Sequence, residues 1–171
     1  MADTPFSIIG LASHHDRKEF FCSSAPLDTY FKTQASQDVK RKVATCFIAI
    51  ENATGIIAGY YTLSACHVYL SGLDDDTRRK LPKYPTVPAV RLGRLAIDTR
   101  FQGRKLGAAM LGNAAARAIK SEIATAIMVV DAKDEIAAAF YLHNGFLRDP
   151  MQPLKFYAEL GRMAGWLGNE Q

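Results

Sequence analysis

Arg94-Leu-Ala-Ile-Asp-Thr-Arg-Phe-Gln-Gly-Arg-Lys-Leu-Gly-Ala-Ala-Met-Leu111 constrains the fold more than any other stretch. An apolar run over residues 88–98 reads as a strand. A short polar loop with Gly103 and Gly107 follows, and an Ala/Leu-rich helix then runs to about Lys120. The first N–H groups of a helix have no internal acceptor and carry partial positive charge, so such a turn suits a phosphate, and glycine lets the backbone come close. Lys105 is followed by Leu106 where magnesium-assisted nucleotide binding needs Ser or Thr, which excludes a Walker loop. The G-x-G-x-x-G spacing of a dinucleotide site is also missing.

The rest of the chain supplies an α/β order. Residues 6–11 are extended. Leu27, Tyr30, Phe31 and Ala35 form one helical apolar face, with Pro26 in the first turn, Ser24 or Ala25 as cap, and Lys40-Arg-Lys42 at the far end. Residues 45–50 and 56–68 read as a hairpin turning at Asn52-Ala-Thr-Gly55, with Gly59 as a candidate bulge. Residues 71–88 are a polar excursion with one helical turn at 76–81. A buried strand at 125–130, a helix at 134–144 ended by Gly145, and a strand at 154–160 complete the pattern. The expectation is an α/β domain with a central mixed, partly parallel sheet flanked by helices, and the whole of residues 1–171 in one domain.

No apolar run reaches the ~18–20 residues of a membrane span and no signal-peptide profile opens the chain, so no membrane is expected and the cytoplasm is the expected compartment. Cys22, Cys46 and Cys66 lack metal-like spacing and read as reduced thiols. His14 and His15 are adjacent without a third ligand, so no metal is expected. The net charge of +4 is gathered in clusters, Arg78-Arg-Lys80 with Lys83 among them. Such clusters are either a solvated face or a polyanion site.

The loop Gln102-Gly-Arg-Lys-Leu-Gly107 resembles the pyrophosphate loop of the GCN5-related N-acetyltransferase (GNAT) superfamily, Arg/Gln-x-x-Gly-x-Gly/Ala. Lys105 stands where that pattern has its first glycine. Either the backbone there needs no positive φ, or lysine tolerates it and adds charge toward the phosphates. Phe140-Tyr-Leu-His-Asn-Gly-Phe146 resembles the superfamily's late helix, whose tyrosine lies near the thioester sulfur. Asp134 stands where many members have asparagine. Phe21-Cys22, Leu27-Asp-Thr-Tyr-Phe31, Ala35-Ser-Gln-Asp38, Thr45-Cys-Phe47 and Leu92-Gly-Arg-Leu-Ala96 are similar to GNAT-fold toxins of type II toxin–antitoxin modules, the TacT and AtaT group.

The resemblance implies the GNAT fold, with the central sheet splayed, and an acetyl-CoA-dependent transferase that acetylates the α-amine of aminoacyl-tRNA and stalls translation. It implies a ribbon-helix-helix antitoxin that neutralises the enzyme and carries it to operator DNA, and a homodimer. It also implies that Leu95, Ala96, Ile97, Gln102, Gly103, Arg104, Lys105, Leu106, Gly107 and Ala108 hold the coenzyme and that Tyr141 is the general acid. Arg78, Arg79, Lys80, Lys83, Arg91 and Arg94 are the candidate tRNA contacts. The alternatives are a GNAT enzyme acting on a small or protein amine, and a non-catalytic acyl-CoA-sensing module.

No carboxylate stands out as a general base; Glu51 sits at a turn and Asp98 at a strand end. A lysine amine is neutral about once in 2,500 at pH 7, whereas an α-amine is neutral roughly a tenth of the time. A missing base therefore points toward an α-amine acceptor, although a water could relay the proton.

Overall fold

The computed structural model describes residues 4–167. The elements run β1 (Phe6–Gly10), α1 (Ala25–Thr33), α2 (Ala35–Lys40), β2 (Thr45–Glu51), β3 (Ile57–Tyr69), α3 (Asp75–Arg79), β4 (Thr86–Ile97), α4 (Leu106–Lys120), β5 (Ile127–Asp131), α5 (Glu135–His143), β6 (Leu147–Arg148), β7 (Lys155–Glu159) and α6 (Leu160–Leu167). Short 3-10 turns lie at Leu70–Gly72 and Thr99–Phe101. Seven strands form one mixed sheet in the order β1-β2-β3-β4-β5-β7-β6, flanked by helices, as the α/β reading expects. β4 and β5 are parallel; β1–β2, β2–β3, β5–β7 and β6–β7 are antiparallel. The parallel register runs from Ala89↔Ile127 to Leu92↔Val130, while β4 continues to Ile97.

The chain divides into two compact units: Met1–Ser64 with Gly93–Asn113, and Ala65–Leu92 with Ala114–Gln171. The first is built on an aromatic nucleus. Phe31 stacks on Tyr60 at 4.2 Å, and Phe20 meets both rings edge-on at 4.8 and 5.6 Å. The Tyr60 hydroxyl donates to Leu27 O at 2.7 Å, which gives its polar tip a partner inside the core. Ala49 and Ile50 oppose Gly59 and Ile57, so Ala58 is the extra residue of a bulge beside Gly59. A side chain at Gly59 would fall 2.8–2.9 Å from Met110 Sδ, Ala96 O and Ile97 Cδ1. Glycine is what lets β3 lie so close to β4 and α4.

The second unit packs Val68, Val87, Ala89, Ile127, Val129 and Tyr157 together. Ile127 to Val130 are buried on both faces of the sheet, which is why this strand reads as an unbroken apolar run.

Several elements differ from expectation. The first helix is two helices, broken at Gln34 (φ −118°) just after Thr33 turns its hydroxyl onto Thr29 O at 2.6 Å. Ser24 occupies the N-cap, but its side chain makes no capping bond. β4 begins at Thr86, before Pro88, and Pro88 serves the sheet through its carbonyl, which accepts from Ala126 N. α3 begins at Asp75 because Asp74 caps it, accepting from Thr77 N at 3.2 Å. β6 and α6 have no counterpart in the sequence reading.

Candidate active site

At the end of β4 the chain is locked by one carboxylate. Asp98 is 1% exposed and accepts from Phe21 N at 3.1 Å, Arg100 N at 2.9 Å, and Arg100 Nε and Nη2 at 2.9 Å each. Burial pushes its carboxyl up in pKa, but the Arg100 and Phe21 donors more than offset this and hold it below the usual range. Asp98 is thus an ionised clamp on the turn that follows the strand. Gln102 Nε2 closes the same turn by donating to Ile97 O at 3.0 Å.

The backbone then enters the left-handed region twice, at Gly103 (φ 77°) and Lys105 (φ 61°). The backbone at Lys105 does take a positive φ, which excludes the first of the two options. A lysine sits in the conformation that the family pattern assigns to glycine, at a cost of about 1–2 kcal/mol. Ala109 N donates to Lys105 O, so α4 opens at Leu106. The N–H groups of Leu106, Gly107 and Ala108 lie in the first turn, where no intrahelical acceptor is available. No acidic side chain occupies that turn.

Leu106 is buried and anchors the turn, while Gly103, Arg104, Lys105 and Ala108 face solvent. Arg104 lies over Phe6 and Phe101 at 5.6 and 5.5 Å and pairs with Glu51 at 3.7 Å. Lys105 makes no ion pair with any described residue. Ala96 is buried, and Leu95 and Ile97 are half-buried, on the part of β4 beyond its register with β5.

In the second unit, Tyr141 is 6% exposed near the end of α5. The end of this helix explains the Phe-Tyr-x-x-x-Gly-Phe spelling. Gly145 (φ 87°) sits just past the Asn144 C-cap and donates to Leu142 O, and Phe146 N reaches back to Tyr141 O at 3.0 Å. These are the two bonds of a Schellman motif, and the Tyr141–Phe146 ring pair at 5.6 Å is its apolar contact. Phe140 and Phe156 complete the surround at 5.2 and 6.2 Å. Burial alone raises the phenol pKa, so the hydroxyl stays protonated at neutral pH. It makes no hydrogen bond to a described residue. The Tyr141 phenol is thus neutral, and burial moves its pKa up rather than down. Asp134 caps α5, accepting from Ala137 N at 2.8 Å.

The candidate tRNA contacts are largely engaged. Arg78 pairs with Asp75, Arg79 with Asp76 at 3.6 Å, Lys80 with Glu159 at 3.4 Å, and Arg91 with Asp131. Arg94 lies 3.4 Å from the Tyr30 ring centroid, while the Tyr30 hydroxyl donates to Asp38. Lys83 has no ion-pair partner among the described residues. Within the second unit, Arg78, Arg79 and Lys83 line one open groove of about 650 Å³. Glu51 and Asp98, the two carboxylates weighed as bases, are both held in ion pairs.

Sequence reasoning misses the hydrogen-bonded pair that carries α3. Tyr157 Oη accepts from Asp74 N at 2.8 Å and donates to Asp74 Oδ1 at 2.8 Å. The Asp74-x-x-Thr77 spacing is a legible cap signal, but its partner on β7 lies eighty-three positions away. No group of three potential ligands able to hold a metal ion occurs among the described residues.

The chain belongs to the acetyltransferase (GNAT) family, whose profile matches residues 11–146. It is 32% identical over 137 residues to a tRNA-acetylating toxin of Mycobacterium tuberculosis, covering 78% of this chain and 80% of that protein. It is 23% identical over 165 residues to a probable toxin TacT of Sinorhizobium fredii, covering 91% of each. Among solved structures it is similar to a tyrosine-to-phenylalanine mutant of KacT, with a TM-score of 0.86 at 24% identity over 95% of this chain and 99% of that one. AtaT complexed with acetyl-methionyl-tRNA superposes with a TM-score of 0.83 at 24% identity, covering 95% and 99%. An AtaT mutant bound to the C-terminus of the antitoxin AtaR and acetyl-CoA gives 0.77 at 22% identity, covering 98% and 100%.

Proposed function

We propose that this protein transfers the acetyl group of acetyl-CoA to the α-amine of an aminoacyl-tRNA, acting as the toxin of a toxin–antitoxin pair in the cytoplasm. The observation that carries this reading is the 32% identity, over four-fifths of its length, to a toxin that acetylates tRNA. Residues 102–108 bind the coenzyme diphosphate through the N–H groups that open α4, with the Lys105 ammonium as a mobile counter-charge. The chemistry of these donors fits a diphosphate: unpaired N–H groups, a cation, and no carboxylate in the turn. Main-chain groups of Leu95, Ala96 and Ile97 receive the pantetheine arm.

The neutral amine attacks the thioester carbonyl, the C–S bond breaks, and the Tyr141 phenol donates its hydrogen bond or proton to the departing thiolate. The proton lost from nitrogen passes to water, since neither Glu51 nor Asp98 is available. That arrangement serves an acceptor already largely neutral at pH 7, as an α-amine beside an ester is. An antitoxin, of the ribbon-helix-helix kind the sequence resemblance implies, silences the enzyme and brings it to operator DNA, which the AtaR-bound and DNA-bound relatives support, and the enzyme acts as a homodimer.

The pairing of Arg78, Arg79, Lys80 and Arg91 with acidic neighbours favours a second reading, in which the acceptor is a small or protein amine and the basic clusters are incidental. Labelled acetyl-CoA offered with charged tRNA, polyamines and lysine peptides separates the two. The first reading expects label on charged tRNA that is lost when the aminoacyl ester is hydrolysed. Label on the amines and none on tRNA rejects it.

A further inference from the structure

The excursion between β3 and β4 carries an aromatic ring that neither the core nor the proposed chemistry uses. Tyr84 is 64% exposed, and its ring contacts no other ring among the described residues. Its backbone is nonetheless tied down. Its N–H donates to Pro82 O at 2.8 Å in a three-residue turn, and Pro85 follows it directly. Pro85 O in turn accepts from Leu70 N at 3.2 Å, tying the two ends of the excursion together. Pro82 and Pro85 fix their own φ, so part of the backbone ordering cost of presenting this ring is met before any ligand arrives.

The ring shares its groove with Arg78, Arg79 and Lys83, over an apolar wall from Leu70. The arginines pair only with exposed acids one helical turn away, contacts worth little and readily exchanged for a phosphate. Lys83 has no such partner among the described residues. A flat aromatic face flanked by cations matches a nucleobase with its neighbouring phosphates. In an A-form duplex the base faces are hidden in the stack, so only an unpaired nucleotide can offer one.

We infer that Tyr84 is a stacking platform for one unpaired base, with Lys83, Arg78 and Arg79 taking the adjoining phosphates, so that this groove receives a single-stranded stretch of RNA. The inference deepens the proposed action on aminoacyl-tRNA and rests on it for the identity of the ligand as RNA. It is tested by binding alone, so failure of acetyl transfer and failure of stacking are read separately.

The probes are an eight-nucleotide single-stranded RNA and the same backbone with abasic sites, which keeps the phosphates and removes the faces. Binding is followed by fluorescence anisotropy at one fixed salt concentration. The wild-type protein is expected to prefer the base-bearing strand by about five- to a hundredfold, the range that one stacked base supplies. Tyr84→Ala and Tyr84→Leu are expected to erase that preference while leaving abasic binding within about twofold. Tyr84→Trp is expected to keep it. An exposed ring can be replaced with little effect on folding, and unchanged circular dichroism verifies this. A wild-type protein that binds neither probe, or does not distinguish them, overturns the inference, as does a Tyr84→Leu variant that still prefers bases.

Discussion

Lys105 and Tyr141 carry most of the proposed chemistry. Lys105 occupies a left-handed backbone position and so trades stability for a cation beside the helix opening. Lys105→Gly should stabilise the fold by about 0.5–1 kcal/mol in urea titration, the relief of native strain being partly offset by a more flexible unfolded chain. Lys105→Val should destabilise it, because a β-branched residue tolerates that region least. Both should weaken acetyl-CoA binding in calorimetry; equal affinity for Lys105→Gly would remove the ammonium from the site. Tyr141 is buried with its phenol pKa raised, so in the proposed mechanism it acts by donation rather than by charge. Tyr141→Phe keeps the ring packing and the Schellman bonds of the main chain. It should lower kcat about a hundredfold or more with acetyl-CoA affinity unchanged.

At the scale of elements, α3 is positioned from outside itself. Asp74 caps it and is gripped by the Tyr157 hydroxyl on β7, whose own pKa burial and the Asp74 bond push up to about 12. Tyr157→Phe should cost about 1 kcal/mol of stability and raise KM for charged tRNA several-fold, with kcat and the KM for acetyl-CoA unmoved. A matching fall in kcat would make Tyr157 merely structural. Charge reversal at Arg78, Arg79 and Lys80 should weaken tRNA binding and flatten its salt dependence by up to about three counterions. The same elements explain what a bare sequence discloses. β5 and α4 are legible because continuous burial and helical spacing leave a pattern in consecutive residues. α6 is not: Gly161 and Gly165 dilute helical propensity within eight residues. The α1–α2 break is hidden because Leu27, Tyr30, Phe31 and Ala35 keep helical spacing straight through it. The glycine loop and the Phe-Tyr-x-x-x-Gly-Phe ending are local, hence readable. Asp98, Tyr84 and Tyr157 depend on what the fold brings beside them.

Across the molecule, acid sensitivity follows mainly from three carboxylates. Asp38, bound by Gln34 and Tyr30, is held low in pKa. So are Asp74 and Asp98, where burial works against ionisation but the Thr77 and Tyr157 donors, and the Arg100 and Phe21 donors, outweigh it. A folded pKa below the unfolded value of about 3.9 contributes stability that is complete above that value and is lost as pH falls through the folded one. Urea midpoints should therefore decline gently below about pH 6.5, where His15, held low in pKa by burial and by His14, is protonated first in the unfolded chain, and fall steeply below about pH 4. Asp98→Asn should lower stability near neutrality by about 2 kcal/mol and make the acid limb shallower. The helix ending at Gly145 has a different consequence, for where the chain can change length. Tyr141 and Phe146 are the two ends of a six-residue main-chain closure, so one inserted residue there would swing the phenol by roughly a quarter turn and break it. The excursion from Leu70 to Pro85, tied at its base, keeps its counts only locally, at the Asp74–Thr77 cap and at the Pro82–Tyr84 turn. Insertions and deletions should be accepted in the excursion outside those two turns and refused at the helix ending.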